Sequence, residues 1–253
     1  MEEAAGSSSS GKTTGENAEG TSEKYVKHCS SSQRILLVGE GDFSFSACLA
    51  RDFGSAKNMV ATSYDDKEKL LEKHWTARNH LDELNELGCT LLHGINVKDM
   101  HEDNFLKAMR FDRIIFNFPH AGHDPALCER DEELILRHKE LLHSFFSSAR
   151  CLLSENGEIH VSHRDDKPYK HWDIRSSAEE RGLILKEMVK FQKNDYPDYH
   201  NKRGGDIKSN KTFPLGNKSF IFKFSLKNDL EDNESASKVY IDDLSMDFSN
   251  LMV

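Results

Sequence analysis

The chain has 253 residues, 37% hydrophobic and 30% charged, and its 34 basic against 43 acidic residues give a net charge of −9. That size and apolar content allow one ordinary domain with a real core, and no apolar run approaches the roughly 20 residues that cross a bilayer. Five widely spaced cysteines without a C-x-x-C exclude a disulfide scaffold, and an N-terminus rich in Ser, Gly and Glu lacks the form of a secretion signal, so the protein is expected not to be secreted.

Residues 1–33 hold only scattered apolar side chains and read as a disordered N-terminal tail. Within it, Gly6 to Thr13 satisfies the phosphate-loop pattern G-x-x-x-x-G-K-[ST], but no strand precedes it and no helix follows, so the match is an accident of low complexity. Arg34 to Gly39 is a short apolar run typical of a strand buried on both faces, and Phe45 to Phe53 follows as a helix. Asn58 to Asp65 reads as a second strand. Lys67 to Leu87 spaces its apolar residues by three and four, predicting one amphipathic helix closed by Gly88. A third strand from Cys89, a helix over Met100 to Met109 and a fourth strand from Phe111 to Asn117 come next. Glu132 to Leu153 is a long helix, Asn156-Gly157 turns the chain into a fifth strand, and Ser177 to Arg181 is helical. Ile184 to Phe191 and Ser219 onward supply the last two strands. Residues 227–253 form an acidic, flexible C-terminal tail, which leaves 34–226 as the folded domain.

Strands alternating with helices predict an α/β fold, a mostly parallel sheet with helices on both faces and an antiparallel last strand. Ligands of such sheets sit at the carboxyl ends of the strands. The functional surface is then built from residues 118–131, 164–173 and 192–218, and the last of these is far longer than an ordinary connection. Charge is unevenly spread: the two tails contribute −2 and −5, the domain keeps only −2, and residues 193–218 hold six basic against three acidic side chains.

Gly39-Glu40-Gly41-Asp42 directly ends the first strand, where glycines permit a tight turn and close approach of a ligand to the backbone. Ser44 leaves the dinucleotide fingerprint G-x-G-x-x-G incomplete. Asp65, at the end of the second strand, lies where such folds hold ribose hydroxyls. Together these point to a nucleoside-containing cofactor. Asn117-Phe118-Pro119-His120 follows the fourth strand and is similar to the Asn/Asp-Pro-Pro-aromatic motif of amino-methyltransferases acting on planar nitrogens, with Phe118 and His120 as replacements. Thirteen histidines include the pairs His120/His123 and His160/His163, but no Cys/His set has the spacing of a structural zinc site, so no metal is expected. Tyr196, Tyr199, Lys202, Arg203 and Lys208 interleave aromatic and basic side chains, the ingredients of single-stranded RNA recognition.

Taken together, ILLVGEGDFSFSACLA, TSYDD, FNFPHAG, NGEIHVSH, YPDYHNKRG and FPLG resemble the large-subunit ribosomal RNA (uridine-N3)-methyltransferase-like domain of fungi and plants, over essentially all of 34–226. The resemblance implies a Rossmann-like class I methyltransferase with a seven-stranded sheet, S-adenosyl-L-methionine as cofactor, and ribosomal RNA in a pre-ribosomal particle as partner. It places Gly39, Glu40, Gly41 and Asp42 on the methionine and ribose side, Asp65 on the ribose, Asn96 and Val97 at the adenine edge, and Asn117 to His120 at the base. N3 lies on the Watson–Crick edge, so the uridine must be unpaired or flipped. Asn117 would bond the imide edge, Phe118 pack on the ring and His120 accept the N3 proton, with Asp42 in reserve. The implied location is the nucleolus or nucleus, with the cytoplasm as the alternative. Two rival readings are a nicotinamide-dependent oxidoreductase, which wants a complete glycine fingerprint, and a non-catalytic RNA-binding assembly protein, which leaves the cofactor turn without a use.

Overall fold

Ile35–Val38 has no polar face to give to water: Ile35 and Leu37 pack to one side and Leu36 and Val38 to the other. A strand of this kind needs a sheet with both faces covered. The computed structural model, which describes residues 22–227, supplies one. After a hairpin of β1 (Tyr25–Val26) and β2 (Cys29–Ser30), the apolar run forms β3 (Ile35–Val38). It is followed by β4 (Met59–Thr62), β5 (Thr90–Leu92), β6 (Phe111–Asn117), β7 (Leu153–Arg164), β8 (Leu183–Lys190) and β9 (Ser219–Leu226). The seven strands from β3 onward lie in the order β5-β4-β3-β6-β7-β9-β8, and only β9 runs antiparallel to its neighbours. Strand order reverses between β3 and β6, which makes the carboxyl ends of these two strands the switch point where α/β sheets take their ligands. Helices α1 (Ser44–Phe53), α2 (Lys67–Lys73) and α3 (Ala77–Glu86) precede the long α4 (Glu132–Leu152) and the short α5 (Ile174–Glu179). The core lies in two layers: α1 and α3 pack with Ile35 and Leu37 on one face of the sheet, α4 and α5 with Leu36 and Val38 on the other. Among the described residues no helix is long and apolar enough to cross a membrane.

Four expectations need correction. The helix expected over 67–87 is broken at residues 74–76. His74 leaves the helical region, and the Thr76 hydroxyl donates to Asp42 Oδ2 at 2.8 Å, a contact that a continuous helix does not provide here. Trp75, placed on the apolar stripe by its spacing, is left 76% exposed. The helix expected over 100–109 is two separate 3₁₀ turns, because Asp103 Oδ1 accepts from the N–H groups of Phe105 and Leu106 and so competes with the backbone ladder. Asn156-Gly157 does not begin β7 but lies within it, opposite a register shift against β6 between Phe111 and Arg113. Finally, the domain begins before residue 34. The hairpin buries Cys29 against the α1 layer, and His28 Nδ1 lies 3.0 Å from the ammonium of Lys223 on β9. Residues 1–21 and 228–253, with the phosphate-loop match and most of both expected tails, lie outside the described residues.

Candidate active site

A cleft of about 890 Å³ opens at the carboxyl ends of β3, β4 and β6. Gly39, Glu40, Gly41, Asp42, Asp65, Asn96, Val97, Asn117, Phe118 and His120 all line it, so residues spread over 82 positions of sequence meet at one site. Pro119 is buried and lines a second, smaller cavity instead.

The turn after β3 is shaped by exclusion. Gly39 has φ +65°, and a Cβ there would stand 2.6 Å from the Phe116 ring, so backbone and aromatic ring meet where any side chain would intrude. Glu40, deep in the cleft wall, has its carboxyl pushed up to about 7 by burial, which the bond from Ser46 N–H at 3.2 Å only partly offsets. Asp42 is 1% exposed and saturated: Ser44 N–H reaches Oδ1 at 3.2 Å, while the Thr76 hydroxyl at 2.8 Å and His200 Nδ1 at 3.1 Å share Oδ2. Burial works to raise this carboxyl, but the Ser44 and Thr76 bonds and the nearby cations hold it below its ordinary value.

Asp65 accepts from Lys73 Nζ at 2.6 Å and lies 3.4 Å from Lys69 Nζ. The same two lysines also meet Asp206, which ties the β8–β9 connection across the mouth of the cleft. Asn96 is exposed and bonds Lys98 N–H at 3.0 Å, and Val97 is buried beneath it.

At the end of β6, Asn117 Oδ1 accepts the Ser162 hydroxyl at 2.6 Å, while its amide nitrogen is buried with no partner among the described residues. The next residue, Phe118, sits at φ +49° and packs its ring against Phe191 and Phe213 at 5.1 and 5.4 Å. His120 is engaged at both ring nitrogens. Gly122 N–H donates to Nδ1 at 3.1 Å, so the proton is on Nε2, which donates to Glu129 Oε1 at 3.0 Å. His138 repeats the pattern: Ala121 N–H donates to its Nδ1 at 3.1 Å and its Nε2 faces Glu129 Oε2 at 3.4 Å. His120, Glu129 and His138 stand as close as metal ligands do. A metal ion, however, would need the two Nε2 lone pairs, and these tautomers fill both with protons. The group is a carboxylate between two imidazoles: the His120 bond, with His138 facing Oε2 at 3.4 Å without a hydrogen bond, holds Glu129 well below the usual carboxylate range despite its burial.

The expected RNA-reading set divides. Tyr196 and Tyr199 are 4% and 8% exposed and pack on Phe45 at 4.9 and 5.2 Å, so they are core residues, a correction to their expected stacking role. Lys202 is turned inward, bonding Asn210 through its carbonyl and side chain at 3.0 and 2.9 Å and lying 3.7 Å from Asp42. Arg203 lines both cavities, and Lys208 is exposed on the surface. Sequence reasoning missed Thr76, Ser162, Glu129, His138 and Trp172. Each acts through a partner distant in sequence, so no local spacing marks it.

The rRNA (uridine-N3-)-methyltransferase BTM5-like family matches residues 36–203. The chain belongs to this family. It is 46% identical over 210 residues to the heavy metal-associated isoprenylated plant protein 41 of Arabidopsis thaliana, which covers 83% of this chain but only 40% of that protein's length. It is 26% identical over 224 residues to the 25S rRNA (uridine(2634)-N(3))-methyltransferase of Saccharomyces cerevisiae, covering 68% of this chain and 66% of the relative. Among solved structures, NSun6 from Pyrococcus horikoshii, determined with SFG, superposes with a TM-score of 0.53 over 78% of this chain and 49% of its own, at 15% identity, which shows the shared fold. The sheet with its antiparallel β9 is that of the class I methyltransferases, and S-adenosylmethionine is the cofactor of this fold and family. The residues present fit it: a side-chain-free turn at Gly39, a carboxylate at the end of β4 and an unpaired amide at Asn117 face one cleft.

Proposed function

We propose that this protein methylates N3 of a uridine in large-subunit ribosomal RNA. The observation that carries the reading is Asn117: its oxygen is held by Ser162 and its NH₂ is a buried donor at the cofactor cleft without a partner among the described residues. A uracil carbonyl would complete it, and leaving such a donor bare costs about 1–3 kcal/mol. Support for the uridine and for rRNA comes from the family and the yeast relative. A nucleolar or nuclear location, and a pre-ribosomal particle as the working substrate, belong to the same reading.

S-adenosylmethionine, when bound, would supply an electrophilic methyl on sulfur and leave as S-adenosylhomocysteine, and the weakly acidic N3 proton would pass to solvent. The protein's part is alignment and exclusion of water. Gly39 and Gly41 keep the turn open for the cofactor, with Asp65 and its lysines at the β4 end, and Asn96 and Val97 beyond it. Asn117 holds the imide edge. His120 acts by position: with Nδ1 and Nε2 both bonded, it fixes the loop after β6 and has no lone pair to offer, and Asp42 is equally occupied.

The test is Asn117→Ala in purified protein, measured for S-adenosylhomocysteine affinity and for methyl transfer to rRNA from cells lacking the enzyme. Transfer is expected to fall about 100-fold, the scale of one lost oriented donor, with affinity within about threefold of the parent. Unchanged transfer overturns the role. His120→Gln should lower the rate without moving its pH profile; a changed profile in the variant would restore His120 as the proton acceptor.

A further inference from the structure

With Tyr196 and Tyr199 in the core, the cleft loses the two tyrosines expected to stack on RNA. Two other aromatic side chains stand in the open beside it, Tyr64 at 68% and Trp75 at 76% exposure. They flank the two ends of α2, a helix roughly 10 Å long. The cleft is bounded on its β6 side by the wall of Phe118, His120, His123, Arg203 and Gly204 that it shares with the second cavity, and on its β4 side by α2. Tyr64 and His74 line that second side, which puts Trp75 on its outer rim. We propose that the α2 rim is a landing surface for single-stranded RNA next to the reacting nucleotide, with Trp75 and Tyr64 as faces on which its bases stack. The inference rests on the RNA reading above and concerns nucleotides that do not react.

Trp75 is held out by the fold. Its spacing belongs to an apolar stripe, yet the break at residues 74–76 turns the indole to solvent, and both its flanks are anchored. His74 is buried in the cleft wall, and the Thr76 hydroxyl donates to Asp42 Oδ2 at 2.8 Å. One turn further on, His80 Nδ1 donates to the Asp42 carbonyl at 2.7 Å, and its ring lies 5.8 Å from that of His200. A large aromatic face on a fixed backbone loses little freedom when a planar group covers it. The cations nearby fit the same occupant. Lys67 and Arg78 each follow one of the aromatics by three positions, are exposed, and have no ion-pair partner among the described residues. Lys69 and Lys73, by contrast, are taken by Asp65 and Asp206. An aromatic face with a free cation beside it, repeated at each end of a short helix, matches bases strung on a phosphate backbone. The exposed Asp66, Glu68 and Glu72 weaken general attraction for phosphate, which leaves stacking as the main contribution. Bases in a duplex have no free face, so the partner is single-stranded.

The chain holds two tryptophans, and Trp172 is buried, so Trp75 reports on its own surface. The full chain, with S-adenosylhomocysteine present, is titrated with a single-stranded uridine dodecamer while indole emission is followed. Emission is expected to be quenched in the parent and unchanged in Trp75→Phe, which leaves Trp172 as the lone indole and keeps a stacking face. Oligonucleotide affinity, read by anisotropy, should fall roughly 5- to 100-fold in Trp75→Ala and stay within about threefold of the parent in Trp75→Phe. The exposed site predicts an unchanged melting midpoint and unchanged S-adenosylhomocysteine affinity in both variants. In methyl transfer to rRNA, Trp75→Ala should raise the KM for RNA and keep kcat. An unquenched parent, or equal RNA affinity in Trp75→Ala, overturns the proposal and returns the indole to a protein partner. Equally strong quenching by the same strand paired with its adenosine complement overturns it too. Trp75-dependent binding in a protein that leaves rRNA unmethylated would sink the uridine-N3 reading and keep the platform. Uridine-N3 methylation with an unchanged KM in Trp75→Ala would do the reverse.

Discussion

Gly39 and Phe116 make room for each other at the floor of the cleft, and Glu40 follows between the two glycines. Burial raises the Glu40 carboxyl to about 7, the Ser46 bonds offsetting this only in part, and places its titration in the working range. Below that value it is neutral; above it a negative charge borders the cleft that would take the cofactor. Affinity for S-adenosylmethionine should therefore climb between pH 6 and pH 8, with a smaller climb for S-adenosylhomocysteine, which lacks the positive sulfur. Calorimetry across this range in the parent and in Glu40→Gln checks it: a flat parent profile, or the same climb in both proteins, refutes the assignment. The turn around Glu40 was legible in the sequence because its glycines follow a strand directly. Tyr196 and Tyr199 show the opposite case. Their alternation with lysines describes an RNA reader and a core contact equally well, and only the position of Phe45 decides which side of the loop faces inward.

At the scale of elements, β7 carries an unusual load of buried imidazole. His160 and His163 are each 3% exposed, and burial lowers both rings to about 4 from an ordinary 6.5. The unfolded chain takes up protons at 6.5 while the folded chain resists until about 4. Stability from these two rings is therefore complete above 6.5 and is lost as pH falls through that window. Thermal unfolding between pH 7 and pH 4.5 should show a steady fall in midpoint in the parent and a shallower one in the His160→Gln/His163→Gln double variant, even if the variant starts lower. An equal slope in both would assign the acid sensitivity to other groups. Elements were readable from the sequence wherever their determinants were local: the branched run of β3, the apolar face of α4, Gly88 after α3. The break between α2 and α3 was not, because it serves a bond from Thr76 to a carboxylate 34 positions earlier, and spacing within the helix contains no trace of it.

The whole molecule distributes charge and order differently from its sequence averages. The basic segment 193–218 folds back on the domain: Lys202 turns inward, and Asp206 joins Lys69 and Lys73. The ordered body also extends past the boundary suggested by composition, since β1 and β2 seal one edge of the α1 layer through Cys29 and set His28 beside Lys223. A chain trimmed to begin at residue 34 should unfold several degrees below one beginning at residue 22, consistent with about 1–3 kcal/mol for one buried side chain and a partnered buried lysine. Coincident melting curves would show that the hairpin adds nothing. The wall shared by the two cavities has a further consequence, one that kinetics can read. Lys73 and Asn96 border only the first space and Tyr169 and Trp172 only the second. Lys73→Ala or Asn96→Ala should therefore raise the KM for S-adenosylmethionine while Tyr169→Ala leaves it within about twofold, and an equal rise in all three would show that the wall does not divide them. Arg203 and Gly204 border both, so a change there should be felt in both spaces, and saturation with S-adenosylmethionine alone should not restore the rate.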